Sequence, residues 1–109
     1  MAEPTLQQIF GANATQDATD LKIKKSDLTG KGFTSSATNR AETLLVALIL
    51  KAQDYLTTAN QGTNADIQIT IENSYESLVT RNNTNYRQKS LTVNLQKVDS
   101  GTTYKAEDF

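Results

Sequence analysis

The hydrophobic pattern divides the chain into two unequal parts. At the N-terminus, Leu6, Ile9 and Phe10 fall at i, i+3 and i+4 on one helical face. Pro4 suits the first turn and Gly11 ends it. So short a helix does not persist alone and must dock, either on its own domain or on a neighbouring subunit. Residues 11–20 contain no large apolar side chain and read as a linker. Leu21-Lys22-Ile23-Lys24 alternates, predicting a short strand with Leu21 and Ile23 inward. Residues 29–38, with Gly30, Gly32 and five Ser or Thr, read as a loop. Residues 1–35 are therefore expected to be an extended arm: small apolar anchors on polar connections.

Residues 36–109 are expected to form a single small domain. Thr38 or Asn39 can cap a helix, and Asn39 with Glu42 has capping-box spacing. The helix is predicted over about 39–60, with Gly62 just past its end. Leu44 to Leu50 is apolar all round, so this segment needs cover on most sides, part of it from another chain. Ile67, Ile69 and Ile71 alternate with polar residues as a one-sided strand. A weaker strand is expected at 75–80 around Leu78 and Val79, then a turn over Arg81 to Asn85. A strand from Tyr86 to Val98 follows, with Leu91, Val93 and Leu95 inward, and Asp99-Ser100-Gly101 turns the chain into a polar tail. The expected fold is α+β: one main helix packed on a small antiparallel sheet, preceded by the arm. Strand 21–24 is expected either at an edge of that sheet or paired with a neighbouring subunit.

Composition narrows the chemistry. The 109 residues hold 11 Lys+Arg and 12 Asp+Glu, a net charge of -1 that does not suit polyanion binding. Cys and His are absent, which excludes disulfides, thiolate sites, a cysteine nucleophile and the commonest general base. Thr, Asn and Gln make up 33 residues, a surface suited to hydrogen-bonded contact with neighbours rather than to charge pairing. The longest apolar run has seven residues, too short for a membrane span, and no signal peptide is visible.

Carboxylates are the only acid–base candidates. Asp17 and Asp20, and Glu107 and Asp108, sit in polar contexts that do not raise a pKa. Asp17-Ala-Thr-Asp20 lacks the Gly and terminal Glu of a calcium loop. Gly30-Lys31-Gly32 is not a phosphate loop. Lys22, Lys24 and Lys25 read as a solvated strand face, and Arg81, Arg87 and Lys89 lack an aromatic stacking platform. The sequons at Asn13 and Asn82 read as chance in a chain this rich in Asn and Thr. The expectation is a non-enzymatic protein with no cofactor, metal, nucleic acid, membrane or small-molecule substrate.

The order of elements carries a resemblance. Thr5-Leu-Gln-Gln-Ile-Phe-Gly11 opens into an Ala/Thr/Asp-rich linker, then comes the segment Leu21 to Leu28. A capped hydrophobic helix and Asn85-Tyr86-Arg87 … Leu91-Thr92-Val93-Asn94-Leu95 close it. This order resembles the small structural proteins of tailed cyanobacterial phages and phage-like elements. The resemblance implies localisation in a virion, with a cytoplasmic protein as the alternative. It favours a capsid-stabilising decoration (cement) protein that bridges neighbouring subunits. A neck, tail or baseplate component, or a small cellular binding or adaptor module, stays open beside it. Expected partners are the chain itself, as a homo-oligomer or array, and other virion structural proteins. The expected interface residues are Leu6, Ile9, Phe10, Leu21 and Ile23 of the arm, with Arg81 and Arg87 at the Asn-rich turn. The competing expectation is that Leu6, Ile9 and Phe10 fold back on their own sheet.

Overall fold

The structure is a computed structural model that describes residues 2–99 and 101–109. It is a mixed α+β fold. Helix α1 (Leu6–Phe10) is followed by short strands β1 (Thr15–Gln16) and β2 (Leu21–Lys22). Two 3-10 turns, Lys25–Asp27 and Thr29–Lys31, lead to helices α2 (Ala41–Tyr55) and α3 (Thr58–Thr63). Strands β3 (Ile69–Arg81) and β4 (Thr84–Leu95) form an antiparallel hairpin, and a last 3-10 turn spans Ala106–Asp108.

Helix α1 forms because both of its ends are satisfied locally. Thr5 Oγ1 accepts from the Gln8 N–H at 3.1 Å, and the Thr5 N–H donates to Gln8 Oε1 at 2.8 Å, a complete capping box. Gly11 ends it at φ 116°, a backbone favoured by glycine. The helix lies against α2, and Ile9 packs on the core. An extended N-terminal arm is therefore not what the described chain shows. Gln7 Nε2 donates to the Ala14 carbonyl, and Asn64 Nδ2 donates to the Ala2 carbonyl at 2.7 Å, tying this segment to the body.

Strand β2 departs from expectation too. Leu21 and Lys22 pair antiparallel with Gln16 and Thr15 of the same chain, not with the larger sheet. Leu21 is 51% exposed rather than inward, because a ribbon of two residue pairs has no second layer above it. Ile23 beyond it is half-buried.

The main helix begins and ends differently from its sequence pattern. Arg40 occupies the cap position without a side-chain capping bond; its guanidinium donates to the Glu42 carboxylate instead. Asn39 is engaged elsewhere: its Oδ1 accepts from the Ser36 N–H and Lys25 Nζ, and its Nδ2 donates to the Thr34 carbonyl. Its hydrogen-bonding capacity thus knits the preceding loop. At the other end α2 stops at Tyr55, where the Leu56 carbonyl accepts the Ile71 N–H at 2.9 Å. Thr57 then caps α3 through its Oγ1, and Asn60 Nδ2 returns to the Tyr55 carbonyl. Gly62 lies inside α3 instead of past a helix end. The break brings Leu56 (5% exposed) into the core with Ile67 (1%) and Ile71 (8%), where Ile9, Ile49, Ala52, Tyr55 and Ile69 pack around them.

The expected strands at 67–72 and 75–80 merge into β3, with an irregularity between Asn73 and Glu76. One extra residue on β3 there shifts the alternation, so odd-numbered Ile69 and Ile71 share a face with even-numbered Leu78. On β4 that face carries Leu91, Val93 and Leu95. Leu91 is half-buried, but Val93 and Leu95 are 53% and 47% exposed, not inward. A lone ribbon has one partner strand, and the helices cover only its base. The expected turn over residues 99–101 includes Ser100, which lies outside the described residues.

Candidate interaction surface

Asn82 and Asn83 turn the ribbon at φ 52° and 60°. Arg81 and Thr84 face each other around them, the geometry of a two-residue hairpin turn with both central residues left-handed. At about 3.3 Å per residue, Arg81 lies roughly 30 Å beyond Ile71. From Asn73 to Asn85 all residues except Ser77 and Val79 are exposed. The ribbon thus carries solvent-accessible side chains on both faces.

Its residues are ordered by local pairing. The Arg81 guanidinium carbon sits 4.2 Å from the centre of the Tyr86 ring, a cation–π stack on one face. Thr80 Oγ1 and Asn85 Oδ1 are hydrogen-bonded at 2.7 Å on the other. Glu76 faces Lys89, and Leu78 faces Arg87 across the ladder. Tyr75 is 71% and Leu78 67% exposed, an aromatic and an aliphatic residue with little cover from their own chain.

Apart from Leu21 on β2 and Ile23 just after it, the sequence-derived residues fall into two separate groups. Leu6, Ile9 and Phe10 are half-buried at the base of the ribbon, with Ile9 on the core. A cleft of 180 Å³ between Pro4, Ile9, Leu56, Ile69 and Phe109 lies beside them. Arg81 and Arg87 sit exposed near the far end of the ribbon. Tyr75 and Leu78 were missed as surface candidates. The signal that could have found them is the change of apolar phase from Ile69 and Ile71 to Leu78, which marks one long bulged strand rather than two short ones.

A second apolar area lies on α2, where Leu45 and Val46 are 56% and 53% exposed. The accessible surface of the chain is 8085 Å², against about 6,000 Å² for a compact protein of this mass. Its radius of gyration is 16.4 Å, against about 13 Å for a compact domain of this length. The excess, about 2,000 Å² per chain, exceeds the roughly 800 Å² that one partner contributes to a standard interface.

The acidic residues build turns. The Asp17 carboxylate accepts from the Thr19 N–H, the Asp20 N–H and Thr19 Oγ1, which together hold its pKa below the ordinary value. The Asp27 carboxylate holds the Asn13 N–H and Nδ2, both at 2.9 Å. Asp108 accepts the Lys105 N–H and Lys97 Nζ; the Lys105 bond is the main cause of its lowered pKa. These bonds fold the tail back, and the Phe109 ring meets Tyr104 edge-on at 6.4 Å. Among the described residues no group of three or more acidic side chains is placed to hold a metal ion, and no helix is long and apolar enough to cross a membrane. No family model matches the chain, and no similar curated protein or solved structure was found.

Proposed function

We propose that this chain is a non-enzymatic structural subunit of a virion, acting as a capsid-stabilising decoration protein that bridges neighbouring subunits. The observation that carries this reading is the projecting β3–β4 ribbon, together with surface well beyond that of a compact monomer. Such a ribbon costs conformational entropy to order and returns little burial within its own chain. A neighbouring chain supplies the missing burial. Exposed Leu45 and Val46 on α2 offer a second apolar contact, consistent with a helix covered partly from outside. The Thr- and Asn-rich surface supports hydrogen-bonded docking over charge pairing.

Mass spectrometry of particles purified from the producing culture tests the proposal. A decoration protein is present at a copy number comparable to the shell protein and is released by mild denaturant before the shell opens. Few copies relative to the shell protein identify a neck, tail or baseplate component instead. Absence from the particles, with the chain free in the cell extract, overturns the virion reading.

A further inference from the structure

The exposed edge of β3 has features that specify a partner. Among the described residues strand β3 pairs only with β4, so the distal part of its other edge is unpaired there. A two-residue hairpin closes on a hydrogen-bonded pair, here Arg81 and Thr84. Alternation back along β3 directs the backbone N–H and C=O groups of Thr80, Leu78 and Glu76 away from β4. The base of the strand shows the same phase, since the Ile71 N–H points away from β4 to the Leu56 carbonyl.

The two edges of the ribbon differ in charge. Residues 84–91 on β4 include Arg87 and Lys89 and no acidic residue, so two copies of this edge repel and cations guard it against pairing. Residues 74–81 on β3 carry one acid, Glu76, and one base, Arg81, with uncharged Leu78 between them. An antiparallel pair of β3 strands about a two-fold axis at Leu78 sets Leu78 against Leu78 of the other copy. Glu76 then faces Thr80, Ser77 faces Val79, and Tyr75 faces Arg81. No like charges oppose one another. Alternation back from Arg81 through Val79 and Ser77 puts Tyr75, at the edge of the irregular segment, on the face that carries the Arg81–Tyr86 stack, so the guanidinium gains a second ring.

We propose that two copies of this chain pair through the β3 edge around Leu78, forming a symmetric four-stranded sheet in the order β4–β3–β3–β4. The inference rests on the reading of the chain as an assembly subunit and names the contact that begins assembly. It covers the most exposed large apolar side chains of the distal ribbon, Tyr75 at 71% and Leu78 at 67%, and joins the two β3 edges in a closed two-fold contact. The surface excess of about 2,000 Å² per chain accommodates the roughly 800 Å² that each partner of a stable dimer buries.

The cysteine-free sequence makes a direct test possible. In a hydrogen-bonded antiparallel pair, facing Cα atoms are about 5.5 Å apart, within disulfide range. Leu78→Cys is expected to oxidise to a covalent dimer under mild conditions, at least ten-fold faster than Leu45→Cys on α2 or Gln88→Cys on β4. Ser77→Cys and Val79→Cys are expected to link poorly alone and well when mixed, because each faces the other. Sedimentation of the unmodified chain is expected to show a monomer–dimer equilibrium that Leu78→Glu shifts to monomer by at least ten-fold. Since Leu78 is exposed, an unchanged circular dichroism spectrum separates lost association from lost folding. A dimer that links through Leu45→Cys or Gln88→Cys but not Leu78→Cys overturns the β3 pairing while leaving the assembly reading standing. A monomer at all concentrations overturns the pairing, and the particle measurement above then decides the assembly reading independently.

Discussion

The base of the molecule and the distal ribbon obey different rules. At the base, Leu56, Ile67 and Ile71 are almost wholly buried, and Gln53, Gln61 and Asn64 tie backbone carbonyls from different segments together. Polar side chains there substitute for a large core, fixing short elements that could not persist alone. The ribbon instead holds its conformation with the hairpin ladder, two left-handed Asn residues and one cation–π stack. Its side chains contribute little to the fold of the chain that carries them. Substitutions at the base are therefore expected to act on stability, and those along the ribbon on the proposed association.

The largest effect is expected in the core. Ile67→Ala removes most of a fully buried side chain and is expected to cost about 2–5 kcal/mol, readable as a lower denaturant midpoint. Against a total of about 5–15 kcal/mol, that is a large fraction of the stability. A loss below ~1 kcal/mol would show that Ile67 is not central to the core.

Gly11→Ala comes next. Its φ of 116° disfavours any side chain, and an added Cβ lies 2.5 Å from Asp27 Cβ. Relieving that clash displaces the carboxylate from both Asn13 donors. The expected cost is about 1–3 kcal/mol from the strained backbone, more with the clash, measured by thermal unfolding. Asp27→Gly in the same background should recover part of it, because it removes the clashing Cβ, whereas Asp27→Ala keeps that atom and should recover less.

The tail gives a smaller, pH-dependent effect. Asp108 has a folded pKa below its ordinary 3.8, because the Lys105 N–H bonds its ionised form. Its contribution is fully present above the unfolded value and is lost as pH falls through the lowered folded value. The Lys105 amide resonance should therefore titrate with a midpoint below 3.8. Asp108→Asn should remove that titration and leave the core resonances in place.

The smallest effect on folding is expected in the ribbon. Leu78→Ser and Tyr75→Ser should each change monomer stability by no more than about 0.5 kcal/mol, as for exposed side chains at positions of negative φ. Unfolding must be followed at concentrations where the chain is monomeric, since association raises apparent stability.

The same comparison explains what the sequence could reveal. The apolar run Leu44 to Leu50 announced α2, and the isoleucine alternation announced the start of β3, because both reflect local periodicity. The helix break at Leu56 was hidden, since it depends on a carbonyl taken by Ile71, fifteen residues away. Asn39 looked like a cap because its alternative partners, Lys25 and the Ser36 N–H, are set by the folded loop. The docking of α1 was ambiguous for a related reason: Leu6, Ile9 and Phe10 define an apolar face but not the surface that receives it. On the candidate surface, Arg81 and Arg87 were legible from their place at an Asn-rich turn. Tyr75 and Leu78 were not, because the bulge that aligns them becomes visible only when β3 is paired with β4.

The measurement that tests the division of labour most directly sets the double variant Tyr75→Ser/Leu78→Ser beside Ile67→Ala. Each is followed by monomer unfolding and by sedimentation. The ribbon variant is expected to unfold within about 1 kcal/mol of the parent while its dimer dissociation constant rises at least ten-fold. The core variant is expected to lose about 2–5 kcal/mol of stability and, under conditions where it remains folded, to associate as the parent does. The contradicting result is a ribbon variant that unfolds several kcal/mol more easily with its association unchanged; the ribbon would then belong to the core of its own chain.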